Sequence, residues 1–174
     1  MIIEPATPAD APGIARVHVQ SWRETYEGIV PDEHLNGLSE EKRQRAWTQI
    51  ISDLSKKRVT LVARNEDEIV GFVNGGEPQQ PELGYDAELA AIYLLKSHQK
   101  LGIGKELFSR FISFLGKPEN MYLWVLQESP TVGFYSHMGG MLTASEPVVI
   151  GGRGLIKDLY SWDFPSPSAP RVGL

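Results

Sequence analysis

Leu94-Leu95-Lys96-Ser97-His98-Gln99-Lys100-Leu101-Gly102-Ile103-Gly104-Lys105 is the stretch on which the reading of this chain turns. It follows an apolar run and opens a helical pattern. Gly102 and Gly104 carry no Cβ, so a ligand can come close to the main chain there. A helix that begins at this point presents unpaired N–H groups and roughly half a positive charge, which suit a phosphate. Lys100 and Lys105 add to that charge. The same spacing also serves as a tight strand-to-helix turn with no ligand. Two phosphate loops are excluded. A Walker A loop needs Gly at Gln99 and Ser or Thr at Glu106. A dinucleotide fingerprint needs a third Gly where Leu107 stands. What remains is Gln-x-x-Gly-x-Gly.

Upstream, residues 85–95 form a nearly continuous apolar strand interrupted by Glu88. Before them, β-branched runs at 59–63 and 69–73 flank the polar turn 65–68 and predict a hairpin. Thr7-Pro8-Ala9-Asp10 supplies a capping Thr, an early Pro and a following acid. A helical stripe of Ile14, Ala15, His18, Trp22 and Tyr26 continues from it, and Gly28 and Pro31 end it. Ser39, with Glu40 and Glu41 behind it, opens a second helix whose apolar side is Ala46, Trp47, Ile50, Ile51 and Leu54. Downstream, 102–115 reads as a helix and 121–126 as a strand. Ser129-Pro130 opens a short helix ending at Gly139-Gly140, and strands at 142–150 and 155–162 flank a glycine-rich turn. The order ααββ, βα, βα, ββ predicts an α/β fold with a mixed, largely antiparallel central sheet and helices on both faces.

Composition narrows the class. The 174 residues include 41% hydrophobic and 22% charged side chains, enough for one packed domain, here 1–163. Residues 164–174, rich in Pro and Ser, read as an extended tail. No apolar run suits a bilayer, and the first residues lack the pattern of a secretory leader, so a cytoplasmic location without membrane contact is expected. Cys is absent, which excludes disulfides, thiolate nucleophiles and Cys-based zinc sites. The four His show no metal-ligand spacing, and no metal is expected. The net charge of −5 argues against a nucleic-acid partner and hints at a cationic substrate.

The lead-in Glu88-Leu89-Ala90-Ala91-Ile92-Tyr93-Leu94, the Gln-x-x-Gly-x-Gly loop, Leu123-Trp124-Val125-Leu126 and the segment Phe134-Tyr135-Ser136-His137-Met138-Gly139 occur in order at suitable distances. Together they resemble the GCN5-related N-acetyltransferase (GNAT) superfamily, over nearly the whole chain. The resemblance implies the acyl-CoA N-acyltransferase fold, with acetyl-CoA as co-substrate in a V-shaped gap between strands 88–95 and 121–126. The main chain of Ile92, Tyr93 and Leu94 would bind the pantetheine amides as one strand binds another. Gln99, Lys100, Leu101, Gly102, Ile103, Gly104 and Lys105 would hold the pyrophosphate, chiefly through N–H groups. Ser129 stands where the family often has an Asn that contacts pantetheine, and it also suits a helix cap.

The implied reaction moves acetyl from the thioester to a primary amine of a small molecule, peptide or protein. Tyr135 matches the family's usual acid beside the CoA sulfur, and Glu88 is the candidate base, directly or through water. Either side chain also has a purely structural reading: Tyr135 as a core aromatic, Glu88 as an acid satisfied by a neighbouring loop. Trp22 and Tyr26 are candidates for stacking on the acceptor and Glu24 for its ammonium group. The reading favoured over that is structural, with Trp22 and Tyr26 in the core and Glu24 solvated. A non-catalytic acyl-CoA binding or sensing module is the alternative function. Trp162 and Phe164, beside the tail, suggest an aromatic surface covered by a second copy of the chain in a homodimer.

Overall fold

The computed structural model describes residues 1–116 and 118–164. Seven strands form one sheet in the order β1-β2-β3-β4-β5-β7-β6. They are β1 (Ile2–Pro5), β2 (Arg58–Asn65), β3 (Glu68–Gly76), β4 (Ala87–Leu94), β5 (Asn120–Leu126), β6 (Met141–Ile150) and β7 (Arg153–Asp163). Every neighbouring pair is antiparallel except β4 and β5. The helices are α1 (Ala11–Tyr26), α2 (Asp32–Asn36), α3 (Glu40–Ser52), α4 (Ile103–Phe114) and α5 (Val132–His137). This is the mixed, largely antiparallel α/β arrangement expected.

The helices cover both faces. On one, Phe72 of β3 packs against His18 of α1 and Trp47 of α3. On the other, Leu107 and Phe111 of α4 lie against Gly71 and Gly75, where a Cβ would meet them. The main core runs through the sheet and includes Ile14, Val17, Leu61, Phe72, Leu107, Phe111 and Met121. A smaller cluster of Tyr26, Val30, Leu35, Leu126 and Leu155 lies where α2 and the end of α1 meet the far strands.

One irregularity shapes the centre. Asn74 faces Ala91 and Gly75 faces Leu89, so Ala90 has no partner on β3 and β4 bulges there. A bulge bends its strand and increases its twist. It lies two residues beyond the last pair that β4 makes with β5.

Several expectations need correction. Strand β1 and helix α2 were not anticipated. The opening Thr7 and Asp10 do form a reciprocal cap, with Thr7 N–H donating to Asp10 at 2.8 Å, but around a single 3-10 turn before α1. Helix α5 starts at Val132, behind a turn made by Ser129 and Pro130. Of the apolar residues on α3 only Trp47 is buried, and Leu54, beyond its end, is 92% exposed. Trp162 is core, its indole N–H donating to the Met138 carbonyl at 3.0 Å, and Phe164 packs against the same core. The aromatic surface that suggested a homodimer is therefore not there. The expected tail, apart from Phe164, lies outside the described residues.

Candidate active site

Strands β4 and β5 pair only at Ala87 with Met121 and Glu88 with Tyr122. Beyond those two pairs the strands separate, and β4 from Leu89 to Leu94 has β3 on one side only. The opening is lined by Leu89 to Tyr93, Leu123 to Val125, Tyr26 of α1 and Thr131 and Tyr135 of the α5 region. It joins two larger spaces. Ile92, Thr131 and Tyr135 are shared with a cleft of about 460 Å3 on the α4 and α5 side. Ala90 and Ala91 are shared with a cleft of about 440 Å3 on the α1 and α3 side. A passage thus crosses the sheet where it lacks a seam.

The first cleft is built around the turn after β4. Gly102, the residue before α4, has φ +82°, and Lys100 has φ +62°. A Cβ at Gly102 would meet no protein atom within 4 Å, so the space beside it is open to a ligand. The first backbone bond into α4 is Glu106 N–H to the Gly102 carbonyl. Among the described residues, the N–H groups from Lys100 to Lys105 find no protein acceptor. That is a row of free donors at a helix N-terminus, with Lys100 and Lys105 lining the same cleft. The side chains divide. Ile103 is core, Leu101 is exposed, and Gln99 turns back, its Nε2 donating to the Leu94 carbonyl at 3.0 Å. Gln99 therefore braces the turn.

Three tyrosines meet at the opening. Tyr135 is buried; burial raises its phenol pKa well above the ordinary value, nearby Tyr93 adds to this, and Thr131 offsets part of it. Burial raises Tyr26 likewise, helped by Tyr93 and Tyr135, with Ser129 acting against it. Tyr93 is raised by burial, and the Trp22 indole N–H that donates to its hydroxyl at 2.9 Å opposes the shift. All three remain neutral phenols across ordinary pH. Ser129 Oγ bonds Thr131 Oγ1 at 2.8 Å and accepts from Thr131 N–H, so its side chain is engaged in the turn before α5.

Two candidates are placed differently from expectation. Glu88 lies at the closed end of the V and is not among the residues lining the opening. Its carboxylate accepts from Gln79 N–H at 2.7 Å and from Gln79 Nε2 at 3.1 Å. It thereby holds the segment after β3, whose Gln79 lines the second cleft. Glu24 accepts from Gln20 and from the backbone N–H of Lys96 at 3.0 Å. It fixes the turn after β4. Trp22 and Tyr26 stack edge to face at 4.7 Å between centroids, and only Tyr26 reaches the opening.

A further group was not anticipated. His18 of α1, Arg43 and Trp47 of α3, and Asn74 of β3 converge on the second cleft. The spacing of Arg43 and Trp47, one helical turn apart, was the available signal. Which way that face points depends on packing against α1. Among the described residues no group of three His, Asp or Glu could hold a metal ion, and no helix is long and apolar enough to cross a membrane.

Known proteins share this fold. Residues 19–139 match the acetyltransferase (GNAT) family. An uncharacterized N-acetyltransferase of Bacillus subtilis, YuaI, is 32% identical over 155 residues, covering 88% of this chain and 87% of the relative. The crystal structure of the PaiA N-acetyltransferase of Thermoplasma acidophilum in complex with coenzyme A superposes with a TM-score of 0.77 at 20% identity, over 94% of this chain and 98% of that one. YncA of Salmonella typhimurium, a putative acetyltransferase solved with its cofactor acetyl-CoA, gives 0.71 at 20% identity, over 99% of both chains.

Proposed function

The chain belongs to the acetyltransferase (GNAT) family, and from that premise we propose that it binds acetyl-CoA and passes the acetyl group directly to a primary amine. The observation that carries this is the opening between β4 and β5, which leads from the row of free N–H donors to a second cleft. The pyrophosphate lies on the N–H groups of Lys100 to Lys105. Pantetheine extends along the unpaired side of β4 past Ile92, Tyr93 and Leu94, as an added strand would. The thioester then sits by Tyr135, and the amine arrives past Ala90 and Ala91.

The amine nitrogen attacks the thioester carbonyl carbon, the C–S bond breaks, and the electron pair leaves on sulfur. The amine's proton goes to solvent, and CoA thiolate takes up a proton. Burial holds the Tyr135 phenol above its usual ~10, whereas a free thiol lies near ~8.5, so complete transfer from phenol to thiolate is uphill. Tyr135 therefore acts as a hydrogen-bond donor that stabilises the departing sulfur. Glu88 acts by positioning the Gln79 segment that walls the acceptor side.

Calorimetric titration with acetyl-CoA, followed by thiol release over a panel of amines, tests the reading. Binding together with amine-dependent CoA release is expected. Failure to bind acetyl-CoA overturns it, and binding without turnover of any amine identifies a sensing module instead.

A further inference from the structure

The second cleft has a charge opposite to that of the whole chain. The sequence carries −5 overall, yet this cleft is lined by Arg43, Lys56 and Arg58 against the single acid Asp53. The charges are not equally available. Arg58 donates to Asn74 Oδ1 and to the Glu77 carbonyl, both at 3.2 Å. Asp53 accepts from Ser55, through both its backbone N–H and its hydroxyl. Arg43 is half-buried, and its guanidinium makes no hydrogen bond or ion pair among the described residues. It lies close enough to His18 and Tyr93 to bias both titrations, which puts its charge next to the passage through the sheet.

His18 supplies a second feature. The Trp47 indole N–H donates to His18 Nδ1 at 3.1 Å. An indole N–H is a donor only, so Nδ1 must be the unprotonated nitrogen and Nε2 carries the hydrogen. The ring is stacked on Tyr93 at 5.0 Å, which holds its plane. His18 is thus a neutral, fixed N–H donor on the wall of the cleft. Ala46 and Ile50 of α3, neither of them buried, together with the buried Trp47 give the same cleft an apolar side. An apolar wall, a few fixed polar groups and a volume of this order describe a small-molecule site.

We infer that the acceptor is a small primary amine that also carries an anionic group, a carboxylate or a phosphate, seated on Arg43 with His18 Nε2–H as a second donor. The inference rests on the acetyl-transfer reading and names its substrate class. Held by its anionic end, such a molecule directs its amine past Ala90 and Ala91 to the thioester. A polyamine would meet uncompensated positive charge in this cleft.

The test uses matched pairs: amino acids of several sizes with their amides, phosphoethanolamine with ethanolamine, and a polyamine, each assayed with acetyl-CoA. For the preferred pair, kcat/KM for the anionic member should exceed that of its neutral partner about ten- to a hundredfold, the range of a charge-assisted hydrogen bond. The carboxylate and phosphate pairs show which anion is read. In Arg43→Gln that ratio should fall to about threefold or less, mainly through KM, and Arg43→Lys should restore part of it. Acetyl-CoA affinity, measured separately, should be the same in all three proteins. Preference for neutral or polycationic amines, or a preference for anions that survives in Arg43→Gln, overturns the inference. So does a protein that binds acetyl-CoA and acetylates nothing in the panel. Failure to bind acetyl-CoA at all would instead remove the reading on which the inference rests.

Discussion

Tyr135 and Glu88 illustrate how environment separates the roles of two buried groups. Removing the Tyr135 hydroxyl while keeping its ring should slow acetyl transfer by roughly one to three orders of magnitude, as expected for loss of an oxyanion-type donor. Acetyl-CoA affinity should change little, because in the proposed site main-chain groups would supply the binding; Tyr135→Phe turnover at wild-type rate under chemistry-limited conditions would refute the role. Glu88→Gln makes a sharper distinction. Its carboxylate accepts from both the backbone and the side chain of Gln79. An amide in that place presents a donor to one of those donors. The rate should therefore fall by a similar factor at every pH, since the wall of the cleft is disturbed. A pH–rate profile in which alkaline conditions rescue the variant would restore Glu88 as the base.

The turn after β4 and the bulge within it carry the predictions that belong to elements. Gly102 has φ +82° and an open space where its Cβ would point. Gly102→Val should cost about 1–2 kcal/mol from the left-handed backbone and leave the protein folded. Its effect on acetyl-CoA should be larger, a tenfold or greater loss in calorimetric affinity, since the new methyl groups would occupy the approach of the phosphate in the proposed site. Gly75 is different: a Cβ there would meet the Glu88 carbonyl and the Phe111 ring. Gly75→Ala should lower stability in denaturant titration by about 1–3 kcal/mol by forcing β3 away from β4 and α4. These contrasts explain what could be read from the chain. The Gln-x-x-Gly-x-Gly turn was legible because its backbone demands glycine at a fixed place. The strands β2 to β7 were legible from their apolar runs. Strand β1 and helix α2 are four and five residues long, too short to establish a period. The meeting of His18, Trp47 and Arg43 was illegible for another reason: two helices contribute it, and their relative rotation is fixed by Phe72 and Tyr93 beneath them. The Lys96 and Gln79 partners of Glu24 and Glu88 were not legible because a carboxylate that braces a turn and one that faces a substrate look alike in a sequence.

For the molecule as a whole, acid should be more damaging than the modest net charge suggests. Burial lowers the His18 pKa from 6.5 to about 3, and Arg43 pushes it the same way. The unfolded chain binds a proton at His18 below about 6.5 that the folded chain refuses until about 3. The stability contributed by neutral His18 is thus complete above pH 6.5 and is lost progressively as pH falls through that interval. His18→Gln, whose carbonyl can still accept from Trp47, should flatten the decline of melting temperature between pH 6.5 and 4 relative to wild type; parallel curves would contradict it. The two-pair seam between β4 and β5 has a different consequence for the same molecule. Strands β1 to β4 and β5 to β7 are joined in the sheet only by Ala87 with Met121 and Glu88 with Tyr122. A thioester bound along β4 would complete the missing rungs. Ligand at a hundredfold excess over Kd would then add about 2.7 kcal/mol against opening. Proteases attack opened chains, so saturating acetyl-CoA should slow cleavage of this protein by an added protease, with the cuts that it suppresses falling on either side of the β4–β5 junction.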